Sequence, residues 1–427
     1  MMLLALCTTF CLSQAYRTTA AMMASRLQSD FGLSAQQLGG FAGAFHFAFG
    51  GMQLFMGIGI DLFGIRRTLL VAFPFAVAGA LVSGLSGQYA MVVLGQVMIG
   101  IGCAPAFLVC TVFIARSYAP KRFAPVSGMV MGVGGLGMLL TATPLAWLVE
   151  VSSWRAGFLA LSAASVLAWL IIFLVVQDAA PLPVRPLPGA LPGDGTAPGV
   201  SESSSSSTLP RESVGAALRS FGALFSMPHT PGIILLASVT YAAFMTLRGL
   251  WLGPLLLDRF GFTLVQSGNV ALLVSVVSLI GPPLFGRLPA SGVRRRSWIV
   301  GFTLLYALLF GMLAVVHGTI PAIVAFVLIG FLSGFIILQY ADVRAAYPVA
   351  LTGRAMALYT MAVFLGIGVM QWATGAVASL ARLNGTDPYA AVLYSTSAAL
   401  LLGAAAFWFL PRPPTLSTSS ERISTPG

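Results

Sequence analysis

Charge is scarce in this sequence, and acidic charge scarcest of all. Only 8% of the 427 residues are charged while 58% are hydrophobic, and 11 Asp and Glu stand against 22 Lys and Arg. A water-soluble globule of this size needs far more charge to cover its surface, so a soluble fold is excluded. The long apolar runs show no strict alternation of polar and apolar residues, which excludes a membrane β-barrel. Cys7, Cys11, Cys103 and Cys110 form no C-x-x-C pair and join no His cluster at metal-ligand spacing, so neither metal nor cofactor is expected. A G-x-x-x-x-G-K-[S/T] loop is missing too, which argues against a P-loop nucleotide site. No nucleophile–base or paired-carboxylate set marks an enzyme.

What is present is hydrocarbon in helix-length pieces. Apolar stretches of about 20 residues, enough to cross a bilayer as a helix, lie near 3–25, 37–60, 68–87, 89–115, 126–149, 156–177, 232–257, 268–288, 297–317, 319–341, 355–380 and 389–410. A chain inside lipid has to satisfy its own backbone hydrogen bonds, so twelve helices are expected. The first stretch has no basic start and no clear cleavage site, so it reads as a span and not a signal peptide. With no polar tail ahead of it, the true start is expected to lie upstream.

The formal net charge of +11 would suggest nucleic acid in a soluble protein. Placed on twelve spans, the basic residues sort by side instead. Arg26, Arg155, Arg259 and Arg382 fall on one face, and Arg17 and Arg248 fall inside spans. The rest lie on the other face, among them Arg66, Arg67, Arg116, Lys121, Arg122, Arg294, Arg295 and Arg296. The positive-inside rule then puts that face and both termini in the cytoplasm, in a multi-pass protein of the plasma membrane, or of the inner membrane in a bacterium. The expected partner is the lipid bilayer, with no nucleic acid.

Composition divides the chain. Residues 1–178 and 229–411 each hold six spans, and between them 179–228 begins as a Pro-, Gly- and Ser-rich linker. Residues 214–228 have the pattern of a short amphipathic surface helix, and the tail 412–427 is again polar. The halves look duplicated. Phe31-Gly32 recurs as Phe260-Gly261, Gly39 as Gly268, Gly57 as Gly286, Arg66-Arg67 as Arg295-Arg296 and Tyr118 as Tyr347, every pair at one and the same interval along the chain.

Between the second and third stretches the sequence reads GIGIDLFGIRR, from Gly57 to Arg67. It resembles the loop signature G-x-x-x-D-x-x-G-x-[R/K]-[R/K] of the major facilitator superfamily, matched by Gly57, Asp61, Gly64, Arg66 and Arg67. The resemblance implies an all-α membrane fold of twelve transmembrane helices in two pseudo-symmetric six-helix bundles. It further implies a monomeric secondary transporter that works by alternating access, with this loop gating the outward-facing state. In physical terms Gly57 is expected at a close helix approach, Gly64 at a tight turn, and the arginines at the anionic inner leaflet. The second copy is degenerate, with Ala290 and Val293 replacing the Asp and the second Gly. The fourth span carries Gln96 where many proton-coupled members have Arg. Trp154-Arg155 reads as an interfacial anchor.

Ionisable residues inside spans are costly and point to function. Here they are Arg17, His46 and Arg248, and no Asp or Glu lies clearly within a stretch. Arg17 and Arg248 occupy corresponding helices, at nearly the interval of the repeat. Two arginines so placed would bind a carboxylate, phosphate or sulfonate through paired hydrogen bonds. The pair is similar to that of the organophosphate:phosphate antiporters within the superfamily. The other reading of each arginine is snorkelling or a bond to backbone carbonyls. Tyr16, Gln53, Tyr241 and Gln339 are further candidates to touch substrate, with Trp251, Tyr340, Tyr359 and Gln371 nearby in the span plan. His46 is the candidate for proton coupling, or else a neutral ring packed among Phe45, Phe47 and Phe49. The expected function is movement of a small, anionic organic solute, coupled to a proton or a counter-anion. Two alternatives stay open: a neutral or zwitterionic solute such as a drug or small peptide, with structural arginines, and a non-transporting membrane receptor or assembly partner.

Overall fold

The computed structural model describes residues 1–118, 120–177, 222, 224–288, 292–348 and 351–411. The linker from 178, most of the stretch read as an amphipathic surface helix, and the tail from 412 lie outside the described residues, as do Ala290 and the side chains of Asp61, Lys121 and Val293. The described chain is almost entirely helical, with no strand. Eleven helices are long and apolar enough to cross a membrane, from Ala35–Ile60 to Pro388–Phe409, and a shorter apolar helix, Met2–Tyr16, precedes them. Large apolar side chains such as Phe55, Val71, Leu174 and Leu402 face outward, as lipid permits and water does not.

Local chemistry fixes the helix ends. The first span ends at Phe31 with Gly32 in the left-handed region at φ 62°, and the seventh ends at Phe260 with Gly261 at φ 67°. Ser34 with Gln37 and Thr263 with Gln266 then open the second and eighth spans as reciprocal capping boxes. Each of these positions meets its counterpart at the interval of the sequence repeat, so the duplication extends to the atoms that cap the helices. Gly64, at φ 84° and ψ 171°, breaks the helix running from Ala35 to Leu85 into the second and third spans, a conformation only glycine adopts freely.

The spans that matter for function are the irregular ones. The first breaks after Tyr16 and resumes at Thr19, and the fourth breaks at Ala104-Pro105 between Tyr89–Cys103 and Ala106–Ser117. The seventh passes through a π turn at Leu247–Trp251, and the tenth through a 3₁₀ turn at Ser333–Phe335. Ala104 and Ser333 are equivalent positions of the two halves, so these breaks follow the repeat. Such interruptions free backbone groups in mid-membrane, which is tolerated where protein or a polar cavity satisfies them.

The halves meet along glycine seams. A β-carbon on Gly375 of the eleventh span would come within 2.6 Å of the Ala35 carbonyl oxygen, and one on Gly43 of the second within 2.8 Å of Gly368 O. Gly253 of the seventh span packs still more closely against Ala21 O of the first. Hydrogen bonds reinforce this contact, from Gln36 N to Ser379 Oγ (2.9 Å) and from Val265 N to Glu150 Oε2 (3.0 Å). The two bundles are thus closed against each other at the end where the first span turns into the second and the seventh into the eighth.

Candidate functional site

Both intramembrane arginines sit at the irregular turn of their span. Arg17 caps the helix Met2–Tyr16, and Arg248 lies within the π turn. Their main chains meet across the seam, because a β-carbon on Gly249, the residue after Arg248, would stand 3.0 Å from the main-chain oxygen of Arg17. Both side chains are buried, Arg17 at 6% exposure and Arg248 at 0%. Among the described residues neither pairs with a carboxylate. The ion pairs lie toward the span ends, at Arg155–Asp30, Arg259–Asp387 and Arg295–Asp342.

The surroundings of the two guanidinium groups differ. Arg248 donates from Nε to Ser275 Oγ (2.9 Å) and from Nη2 to the Met138 carbonyl (3.1 Å), leaving Nη1 buried without a partner. Arg17 has one long bond, Nη2 to Ser13 Oγ at 3.4 Å, and its Nε is buried without a partner. Its guanidinium carbon lies 4.6 Å from the centroid of Phe49 and 4.7 Å from that of Phe364, and those centroids are 4.4 Å apart. The three points form a nearly equilateral triangle, so the cation rests on one side of an aromatic pair. One ring comes from each half.

His46 stands in the second span with Nδ1 3.1 Å from Gln371 Oε1 and 3.3 Å from Ala42 O, while Nε2 is buried without a partner. Gln371 in turn donates to Met245 O at 3.4 Å, which joins the second, seventh and eleventh spans. Of the other candidates, Gln339 exchanges hydrogen bonds with Thr240 and accepts one from Tyr359 at 3.0 Å. Tyr241 is half-buried and lies within electrostatic range of Arg17. Gln53 donates to Ala104 O (3.2 Å), the carbonyl at the break of the fourth span. The hydroxyl of Tyr16 is engaged with Ser165 of the sixth span at 2.9 Å, inside the first bundle.

In the loop motif, Gly64 makes the expected turn, and Arg66 donates to Phe173 O at 3.0 Å. Arg67 is exposed. Gly57 is not at a close crossing, since the nearest atom to a β-carbon there is Leu108 Cδ2 at an ordinary 3.8 Å. Trp154 is buried and not an interfacial anchor, because its indole N–H donates to Asp30 at 2.7 Å. Ser13, Phe49, Met138, Ser275 and Phe364 were not among the expected site residues. No local pattern marks them; Phe49 alone carries a hint, being on the second span beside His46.

A family model described as the Major Facilitator Superfamily matches residues 5–370. A probable sulfoacetate transporter of Cupriavidus necator is 27% identical over 177 residues, 40% of each chain. The human facilitated glucose transporter, member 10 of solute carrier family 2, is 26% identical over 129 residues, 28% of this chain and 24% of its own length. The chain therefore matches less than half of either relative. Among solved structures, a bacterial homologue of the human lysosomal transporter Spinster, inward-facing and occupied, superposes with a TM-score of 0.71 at 17% identity over 95% of both chains. A D-xylose–proton symporter gives 0.72 at 15% identity over 97% of this chain and 98% of its own.

Proposed function

The chain belongs to the Major Facilitator Superfamily, and from that premise we propose that this multi-pass membrane transporter of small solutes carries an organic anion by alternating access. One observation supports the reading above all others: two arginines buried at the broken middle of the first and seventh spans, with no carboxylate among the described residues to neutralise either. Removing a charge from water costs several kcal/mol unless a counter-charge and hydrogen bonds offset it. An anionic substrate supplies both at the free N–H groups, Arg17 Nε and Arg248 Nη1. The partial match to a probable sulfoacetate transporter is in keeping with an acceptor of this kind. Closure at the end with the 1–2 and 7–8 turns fits a substrate path open toward the opposite, basic end.

In this account the basic face and both termini are cytoplasmic, in the plasma membrane, the halves are 1–178 and 229–411, and the protein works as a monomer. Gln339 and Tyr241 line the path, and Gly57, Asp61, Gly64, Arg66 and Arg67 form the gating loop. His46, with its free Nε2, is the site for a coupling proton. A second reading has its own support, since Arg248 already spends two donors on protein acceptors, as a structural arginine would. Thermal stabilisation of the purified protein by a panel of anionic, neutral, zwitterionic and cationic solutes separates the two. A ligand at one hundred times its Kd adds about 2.7 kcal/mol to the folded state. Stabilisation confined to anions supports the proposal, and stabilisation by neutral or zwitterionic compounds alone contradicts it.

A further inference from the structure

The two arginines are not equivalent donors. A guanidinium presents a side-on edge, formed by Nε and one Nη, that matches two oxygens of a carboxylate, sulfonate or phosphonate. On Arg248 that edge is consumed, Nε by Ser275 at 2.9 Å and Nη2 by Met138 O at 3.1 Å. On Arg17 it is unfilled: Nε is buried without a partner, and Nη2 has only a 3.4 Å contact with Ser13, beyond the usual range for an N–H to oxygen bond. No ion pair among the described residues holds Arg17 in that pose. What it touches is the Phe49–Phe364 pair, with the cation 4.6 and 4.7 Å from the two centroids. The ring faces attract the cation without occupying its in-plane donors, which a carboxylate partner would do.

Resting on the anion-carrier reading above, we propose that Arg17 is the specificity-determining group, taking a two-oxygen anionic head edge-on, and that Phe49 and Phe364 are positioning residues that hold it for this. Arg248 contributes its charge and one further donor, Nη1, from a fixed position. The substrate class follows. It is an anion whose head offers two adjacent oxygens, in the manner of a carboxylate or sulfonate, and halides of equal charge are poor ligands.

The test is calorimetric titration of the purified full chain with sulfoacetate, acetate, methanesulfonate and chloride, for wild type and for Phe364→Leu, Phe364→Tyr, Phe49→Leu and Arg17→Lys. Wild type is expected to bind the oxyanions and not chloride. Phe364→Leu and Phe49→Leu are each expected to weaken oxyanion binding by about tenfold, the scale of a desolvated cation–π contact. Phe364→Tyr, which keeps the ring face, is expected to restore it to within about threefold. Arg17→Lys keeps the charge but loses the fork, and is expected to cost about a hundredfold. If wild type binds no anion, the anion-carrier reading itself fails. If wild type binds oxyanions and both Leu variants, shown to be folded by thermal unfolding, bind them equally well, the positioning role is overturned while that reading stands. Chloride binding as tight as that of the oxyanions overturns edge-on recognition.

Discussion

Arg248 donates from Nη2 to the main-chain oxygen of Met138 at 3.1 Å, and the two residues belong to opposite halves. Met138 O is available because the fifth span is broken: its first helix ends at Leu140, and the N–H of Ala142 turns back to Leu139 O. The π turn of the seventh span and the break of the fifth therefore complete each other. We predict that Arg248→Ala abolishes anion binding, a loss of at least about a hundredfold for a charged hydrogen-bonding group. The protein should still migrate as a single folded species in detergent, and unchanged affinity in titration would remove Arg248 from the site.

The seam between the second and eleventh spans predicts a different phenotype. Gly375 packs against Ala35 O with no room for a side chain, since even a β-carbon would reach 2.6 Å. Gly375→Val should keep that end from closing, in a protein that still binds. Net uptake is expected to fall by about tenfold or more while equilibrium affinity changes by less than about threefold, as overpacking at a seam of small residues acts on the closed state. Equal losses in both measurements would place Gly375 in the folding core and not at a moving seam.

His46 carries the prediction about coupling. Its Nδ1 is engaged with Gln371 of the other half and its Nε2 is free. In His46→Asn, uptake driven by a pH gradient should disappear while exchange of internal for external substrate persists. Loss of both activities, or a retained response to the gradient, would rule out His46 as the coupling site.

How much of this was legible beforehand depended on the kind of signal. The spans were, because about 20 apolar residues and a side bias of arginine survive any rearrangement of tertiary contacts. The end of the first span was not: Arg26, Gln28, Ser29 and Asp30 look like a loop, yet the helix continues to Phe31, where Gly32 stops it. Proline marks the mid-span breaks at Pro105 and, in the fifth span, at Pro144, while nothing local announces those at Arg17, Leu247 and Ser333. Arg17 and Arg248 stood out as charges in hydrocarbon. Their partners did not, because Phe364, Ser275 and Met138 O meet them through the register of helices far apart in sequence. Gly57 shows the opposite error, a motif glycine expected at a close crossing that turns out to lie at ordinary packing distance from Leu108.

Outside the membrane, one pair gives a pH signature. Asp387 caps the twelfth span and is paired with Arg259. Partial burial raises its pKa, but the hydrogen bond and charge of Arg259 and the N–H of Tyr389 outweigh this and hold the carboxyl below its ordinary value of 3.8. A depressed carboxylate pKa adds stability above the unfolded value, and that stability is lost as pH falls through the folded one. The melting temperature of wild type should therefore drop more than that of Asp387→Asn as pH is lowered below about 4. Parallel curves would mean that the pair contributes nothing, as many exposed pairs do.

The central claim is that the uncompensated arginine pair serves an anionic substrate. It is met most directly by uptake of labelled sulfoacetate into liposomes containing the purified protein, beside a neutral solute such as D-xylose, for wild type and Arg17→Ala. The account predicts saturable uptake of the anion by wild type, none of the neutral sugar, and uptake by Arg17→Ala no higher than in protein-free liposomes. Saturable sugar uptake that survives Arg17→Ala, with no uptake of the anion, would contradict it.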